Sequence, residues 1–337
     1  MASAPEDRTV VAVLCAEVDD RPPHMEPVES RAEVRYTDAA GLPAAVDGAE
    51  VLLLWDFFST AVKDVWSHAS DLRWIHVAAA GVDKLLFDDL VESDVVVTNA
   101  RGVFDRPMAE FALASILAKA KGLHASHDQQ IARQWRHRET ESIAGQTALI
   151  VGTGAIGRET ARVLWSVGME VRGAGRSARS GDADFGDVVA SSDLSHHAGW
   201  ADHVVVTAPL TDQTRGLFDA AVFASMKPSA HIVNIGRGAI IDEEALVNAL
   251  TAGQIAAASL DVFGTEPLPE DSLLWTTPGV VVSPHLSGDA HGWLDTLARQ
   301  FVENATRWFD DQELFNVVDK SLGFVPASSA TQPEERS

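Results

Sequence analysis

Short apolar runs recur along this chain, separated by stretches with helical spacing. TVVAVLC, VLLLW, RWIHVAAAG, VVVTNA, TALIV, MEVRGA, HVVVTAPL, HIVNIG, AAASLDVF and VVVSP are continuous rather than alternating. That is the pattern of a strand covered on both faces. VESRAEVRYTD adds a short strand near the start. Between these runs, residues 59–70, KLLFDDL, 106–121, 155–167, 219–226, DEEALVNALTAG and 289–309 read as helices. Strands alternating with helices imply parallel sheets joined by right-handed crossovers. The helix at 106–121, RPMAEFALASILAKAK, is nearly apolar all round and is expected to be buried, between domains. A polar segment with Trp135 and three arginines then leads to TALIV.

One stretch organises the second half. TALIV runs into Gly152, Gly154 and Gly157, then into a helix and a further strand. In that context GxGxxG reads as a dinucleotide fingerprint. The first glycine closes the turn, the second admits backbone to a pyrophosphate, and the third lets helix and strand pack. The helix N-terminus offers N–H groups and positive dipole to the phosphates.

The end of the next strand qualifies this. An NAD-type fold carries an acid there for the ribose hydroxyls. This chain has Gly175, followed by Arg176, Ser177 and Arg179. Guanidiniums pair bidentately with phosphate oxygens, so NADP(H) is favoured, with NAD(H) as second choice.

Length and charge narrow the class. At 337 residues the chain has room for two domains. A formal charge of -23 argues against nucleic acid as partner. A single cysteine, Cys15, excludes an internal disulfide and any multi-cysteine zinc or iron–sulfur site, and no metal is expected. No apolar run approaches a membrane span, and the N-terminus lacks a basic-then-apolar signal. A cytoplasmic protein with no membrane association is expected.

Three chemical groups follow three strands of the second half: Arg237 after HIVNIG, Asp261 and Glu266 after AAASL, and His285 after VVVSP. Ligands of open α/β sheets sit outside the strands' carboxyl ends, so these groups should converge where the dinucleotide lies. A ketone beside a carboxylate that accepts hydride needs a proton for the developing alkoxide and a cation for its carboxylate. His285 suits the first task, with Glu266 stabilising its imidazolium. Arg237 suits the second.

VGTGAIG, NIGRGAIIDEEAL, SLDVFGTEPLP and SPHLSG, in this order, together with VAAAGVDKL and VTNARGVFDRPMAEFALA, resemble the D-isomer-specific 2-hydroxyacid dehydrogenases over residues 50–320 or so. The resemblance implies Arg237, Glu266 and His285 as the catalytic trio. It implies backbone N–H groups near Ala80 and Gly81 holding the substrate carboxylate with Arg237. It sets Ala155 and Ile156 at the pyrophosphate, Ala208 and Pro209 along the adenosine half, and Ile235 and Asp261 at the nicotinamide. It implies a Rossmann cofactor domain, 101–286, inserted in a smaller flavodoxin-like substrate domain, 1–100 and 287–325; the tail at 326–337 lacks any periodicity and is expected to be disordered. It also implies a homodimer. The missing ribose acid points within the family to NADPH-using glyoxylate and hydroxypyruvate reductase-like members. Arg101 in NARGV and the tract SGDAHGW around His291 and Trp293 depart from the usual pattern and are placed at the substrate pocket.

Other readings lack their residues. A short-chain dehydrogenase needs Tyr-x-x-x-Lys, and the single tyrosine, Tyr36, has no such lysine. A zinc alcohol dehydrogenase needs cysteine ligands. A methyltransferase gives no reason for the Arg, Glu and His series, and a formate dehydrogenase would pair its histidine with a neutral amide. The alternative from another class is a non-enzymatic NAD(P)-sensing regulator on the same fold.

Overall fold

The computed structural model describes residues 8–326. The loose start expected at 1–7 and all but the first residue of the tail expected at 326–337 lie outside the described residues. Among the described residues no helix is long and apolar enough to cross a membrane. The chain divides into two compact units, at 104/105 and 290/291, four residues beyond each expected boundary.

The first unit carries β1 (Val10–Leu14), β2 (Glu33–Thr37), β3 (Val51–Leu54), β4 (Trp74–Val77) and β5 (Val96–Asn99). They form one parallel sheet in the order β2-β1-β3-β4-β5, a flavodoxin-like order. β3 and β4 are buried at every position, which is why their sequences are apolar without alternation. The helix Trp293–Phe309 belongs to this unit and buries Leu297, Ala298, Gln300, Phe301, Asn304 and Ala305 along one face. Phe301 stacks on Trp74 at 5.6 Å between ring centroids.

The second unit carries β6 (Thr147–Val151), β7 (Glu170–Gly175), β8 (Arg179–Asp182), β9 (Gly186–Ala190), β10 (His203–Val206), β11 (His231–Asn234), β12 (Ala257–Leu260) and β13 (Val280–Val282). Their order is β13-β12-β11-β10-β6-β7-β9-β8, with β8 antiparallel to β9 and the other pairs parallel. This is the doubly wound dinucleotide-binding arrangement, and its order reverses between β6 and β10.

Several expectations need correction. Residues 59–70 do not make one helix: a single turn at Ala61–Asp64 gives way to a 3₁₀ turn at Trp66–His68. The helix expected at KLLFDDL lies later, at Asp88–Glu92. The helix Asp105–Ala120 buries Ala109, Ala112, Ile116 and Ala120, one line rather than its whole circumference. A helix at Leu123–Ile131 and the β8–β9 hairpin were not expected at all. Neither has the apolar period that announces an element: the helix buries no residue, and the hairpin is held by ion pairs of Arg158 and Arg179 with Asp182.

Buried polar groups cross the second sheet in a line. The Ser259 hydroxyl donates to His231 Nε2 at 2.9 Å. His231 and His203 meet through their Nδ1 atoms at 3.3 Å, and His203 Nε2 reaches the Gln146 amide oxygen at 2.7 Å. An oxygen acceptor at Gln146 assigns the His203 proton to Nε2, so His231 must donate from Nδ1. Both rings are fully buried and satisfied while neutral. Burial lowers His203 to about 4 and drives His231 well below the ordinary value. In the first unit burial lowers His76 to about 3. Unfolding restores all three to about 6.5. Between pH 6.5 and about 4 the unfolded chain therefore binds more protons, and stability falls as pH falls, by up to about 1.4 kcal/mol per pH unit for each histidine. The melting temperature should drop steadily from pH 6.5 to 5, above the range where most carboxylates titrate. A flat profile there would contradict this account.

Candidate active site

The glycine turn is built as a cradle for a dinucleotide. Gly152 has φ +114°, and a Cβ there would stand 2.5 Å from the Ala208 nitrogen. A Cβ on Gly157 would stand 2.0 Å from the Gly152 carbonyl oxygen. Each demands glycine for a different reason, one conformational and one a close approach of helix to strand. A Cβ on Gly154 meets nothing within 4 Å, which leaves open space over the helix Ala155–Ser166. That helix has no side-chain cap, so its first N–H groups, at Ala155 and Ile156, remain available to an anion. Ala208 is buried and Pro209 exposed just past β10, across the point where strand order reverses. At the end of β7, a Cβ on Gly175 would lie 3.0 Å from Thr153 Oγ1 and 3.3 Å from Thr153 Cγ2. The missing ribose acid therefore has a steric counterpart. These features fit a nicotinamide dinucleotide. Arg176 and Ser177 follow, exposed. Arg179 is engaged: its Nε and Nη2 both donate to Asp182 Oδ2, at 3.0 and 2.8 Å.

β11, β12 and β13 are neighbours, so the loops at their carboxyl ends stand side by side. This is what brings Arg237, Glu266 and His285 onto one edge. His285 Nδ1 lies 2.8 Å from Glu266 Oε2. The carboxylate accepts, so Nδ1 carries a proton and Nε2 lies on the other side of the ring. Glu266 is aimed by the Phe263 N–H, which donates to Oε1 at 2.9 Å. Both side chains are partly exposed, at 35% and 26%, so a substrate can reach them. The Arg237 loop is pinned from below by Asn234, fully buried, whose Nδ2 donates to the Arg237 carbonyl at 3.0 Å and whose Oδ1 accepts the Gly236 N–H at 3.1 Å. Arg237 Nη1 donates to the Gly236 carbonyl at 2.9 Å.

Asp261, expected at the nicotinamide, is tied into the turn that carries His285. It is fully buried. Its Oδ1 accepts the Ser283 hydroxyl at 2.6 Å and the Leu286 N–H at 3.0 Å, and its Oδ2 accepts the Ser287 N–H at 2.8 Å. These bonds bracket His285, whose backbone stands at φ +52°, a left-handed conformation that a non-glycine residue adopts only when its surroundings impose it. Ile235 is buried directly before the Arg237 loop.

In the first unit, Ala80 and Gly81 follow β4. Asn99, at the end of β5, donates from Nδ2 to the Ala80 carbonyl at 2.6 Å and so holds that turn. Arg101 is occupied by the chain's own C-terminal segment: Nη1 donates to the Val325 and Pro326 carbonyls at 3.4 and 3.1 Å. A contact with substrate, expected of Arg101, is not what this geometry provides. Asn99, Asn234 and the clamping role of Asp261 escaped the sequence reading. Their one signal is position, a polar residue ending or following a buried strand.

The sequence model of the D-isomer specific 2-hydroxyacid dehydrogenase NAD binding domain matches residues 113–287. A glyoxylate/hydroxypyruvate reductase B of Pectobacterium atrosepticum is 34% identical over 266 residues, 77% of this chain and 83% of its own. An (S)-sulfolactate dehydrogenase of Chromohalobacter salexigens is 31% identical over 247 residues, covering 73% of this chain and 80% of its own. The crystal structure of a D-isomer specific 2-hydroxyacid dehydrogenase from Xanthobacter autotrophicus, in complex with NADPH and MES, superposes with a TM-score of 0.80 at 30% identity, covering 94% of this chain and all of that one.

Proposed function

Because the chain belongs to the D-isomer-specific 2-hydroxyacid dehydrogenase family, we propose that it reduces small 2-ketoacids to D-2-hydroxyacids with NADPH, NADH being the weaker donor. The observation that carries this reading is the 2.8 Å pair of His285 and Glu266 on the strand edge next to Arg237. The NADPH complex of the Xanthobacter relative and the exposed Arg176 and Ser177 where a ribose acid is absent support the choice of cofactor.

A reduced nicotinamide dinucleotide held at the glycine turn would supply the hydride. His285 gives its Nε2 proton to the carbonyl oxygen as that oxygen becomes an alkoxide, and regains a proton from solvent. Glu266, on Nδ1, orients the ring, and a positioned general acid is worth roughly 100- to 10,000-fold in rate. Arg237 grips the substrate carboxylate and draws charge toward the carbonyl oxygen. In the first unit, the turn of Ala80 and Gly81 is held by Asn99. Gly152, Gly154, Ala155, Ile156 and Gly157 would receive the pyrophosphate, Ala208 and Pro209 would line the adenosine half, and Ile235 would back the nicotinamide.

The test is cofactor oxidation, followed at 340 nm with NADPH or NADH and a panel of glyoxylate, hydroxypyruvate, pyruvate and phenylpyruvate. Turnover of at least one acid, faster with NADPH, is expected. Cofactor binding without turnover of any would favour a nucleotide-sensing regulator instead.

The chain is proposed to act as a homodimer in the cytoplasm. The helix Leu123–Ile131 buries no residue of its own, and Leu123, Ile131 and Trp135 are 54%, 70% and 100% exposed. Such a run of bare apolar side chains suits a partner surface. Light scattering that reads one 36.1 kDa chain would remove the dimer.

A further inference from the structure

The β8–β9 hairpin carries a cluster of charges beside the expected ribose site. Asp182 is 6% exposed. Arg158, on the helix after the glycine turn, meets both of its oxygens: Nη1 donates to Oδ1 at 2.9 Å and Nη2 to Oδ2 at 3.0 Å. The Asp184 N–H donates to Oδ1 at 3.1 Å, and Arg179 takes Oδ2 through two nitrogens. Asp184 in turn binds Arg158 at 2.7 Å and Arg162 at 2.8 Å. Arg158 therefore has a second carboxylate to hold it. Arg158 foremost, then the Asp184 N–H and Arg179, keep the Asp182 carboxyl far below the usual carboxylate range against the pull of burial. Asp182 is thus ionised at any working pH.

Arg179 begins four residues after β7 ends. Its strand is the outermost: Arg179 pairs with Val188, and Val188 with Gly173 of β7. Two strand spacings, about 10 Å, separate its backbone from β7, and an extended arginine spans much of that gap. The Nε and Nη2 edge of the Arg179 guanidinium is the one Asp182 takes, through a single oxygen. A fixed, nearly buried carboxylate that already occupies the fork competes with an incoming phosphate and also repels it.

We propose that Asp182 is a specificity-determining residue: it withholds Arg179 from the ribose phosphate of NADP and thereby moderates the preference over NAD, leaving discrimination to Arg176 and Ser177. This rests on the cofactor reading above. Of the three residues expected at the phosphate, two then act directly and the third is held in reserve. The same carboxylate also ties the hairpin to the helix that receives the pyrophosphate.

Dissociation constants for NADPH and NADH, from quenching of tryptophan fluorescence, test the proposal in a double-mutant cycle. Asp182→Asn should tighten NADPH about tenfold, the scale of one charge-assisted bond, and leave NADH within about twofold. Arg179→Gln alone should change NADPH by less than about twofold, since the fork is already taken, while in the Asp182→Asn background it should abolish the gain. A loss of about tenfold from Arg179→Gln alone would overturn the proposal, as would an Asp182→Asn change equal for both dinucleotides. Should Asp182→Asn fail to fold, the exposed Arg179→Gln decides by itself, in the same two directions. Arg176→Ala separates this from the reading beneath it: if wild type binds NADPH no tighter than NADH and Arg176→Ala changes neither, the choice of cofactor is what fails.

Discussion

His285→Ala should lower kcat by roughly 100- to 10,000-fold, the range that a positioned general acid contributes, while the dissociation constant for NADPH stays within about twofold. The expectation follows from how the ring is held. Its Nδ1 proton is committed to Glu266 at 2.8 Å, and the turn that carries it is fixed from beneath by Asp261. Nε2, on the other side of the ring, is the nitrogen assigned to the proton transfer. The Glu266 carboxylate is committed to His285 and to the Phe263 N–H, and Arg237 does not give up a proton in water. Alanine removes the proton source and leaves the glycine turn untouched, so binding and chemistry should separate cleanly. Near-full turnover in this variant would sink the assignment. A loss of NADPH binding in step with kcat would point to a structural role instead.

Asp261→Asn should destabilise the protein even without any cofactor. The carboxylate, itself fully buried, accepts from a hydroxyl and two backbone N–H groups, that of Ser287 also buried. Asparagine has one acceptor oxygen, and its amide nitrogen would face a donor. A lost charge-assisted bond and a stranded buried N–H together cost about 3–5 kcal/mol. For a unit of this size that is a fall of about 10 °C in melting temperature. Because the turn is also what holds His285 at its left-handed φ, kcat should fall as well. Thermal unfolding of the cofactor-free protein separates the two tasks of Asp261. If the residue serves as a nicotinamide contact alone, the cofactor-free melting temperature will stay within about 2 °C of wild type and the loss will appear in NADPH binding.

Much of this architecture is written locally. Parallel strands covered on both faces must be apolar throughout, so VLLLW, TALIV and HVVV announce themselves. Gly152 and Gly157 are legible because their spacing is set by a turn and a close approach that no other residue tolerates. Arg237, Glu266 and His285 are legible for a related reason: each follows a strand that must be buried, and consecutive strands of this fold lie side by side. The helix Leu123–Ile131 and the β8–β9 hairpin are not legible, because neither rests on an apolar period. They are held by polar contacts instead: Arg138 donates to the Gly122 carbonyl, Ser126 and Gln129 of the helix, and Arg158 and Arg179 pair with Asp182 of the hairpin.

The sequence by itself determined the fold class, the dinucleotide cradle, the absence of a ribose acid and the identity of the three groups at the strand ends. Each of these depends on residue type at a fixed short spacing. Tertiary structure alone decided which of the charged residues are free to act. Asp261 clamps the His285 turn, Arg101 holds the C-terminal segment, and Arg179 is bound to Asp182. A charged side chain's role depends on the partner that reaches it first, and the hairpin and sheet bring those partners together in ways that spacing along the chain does not record.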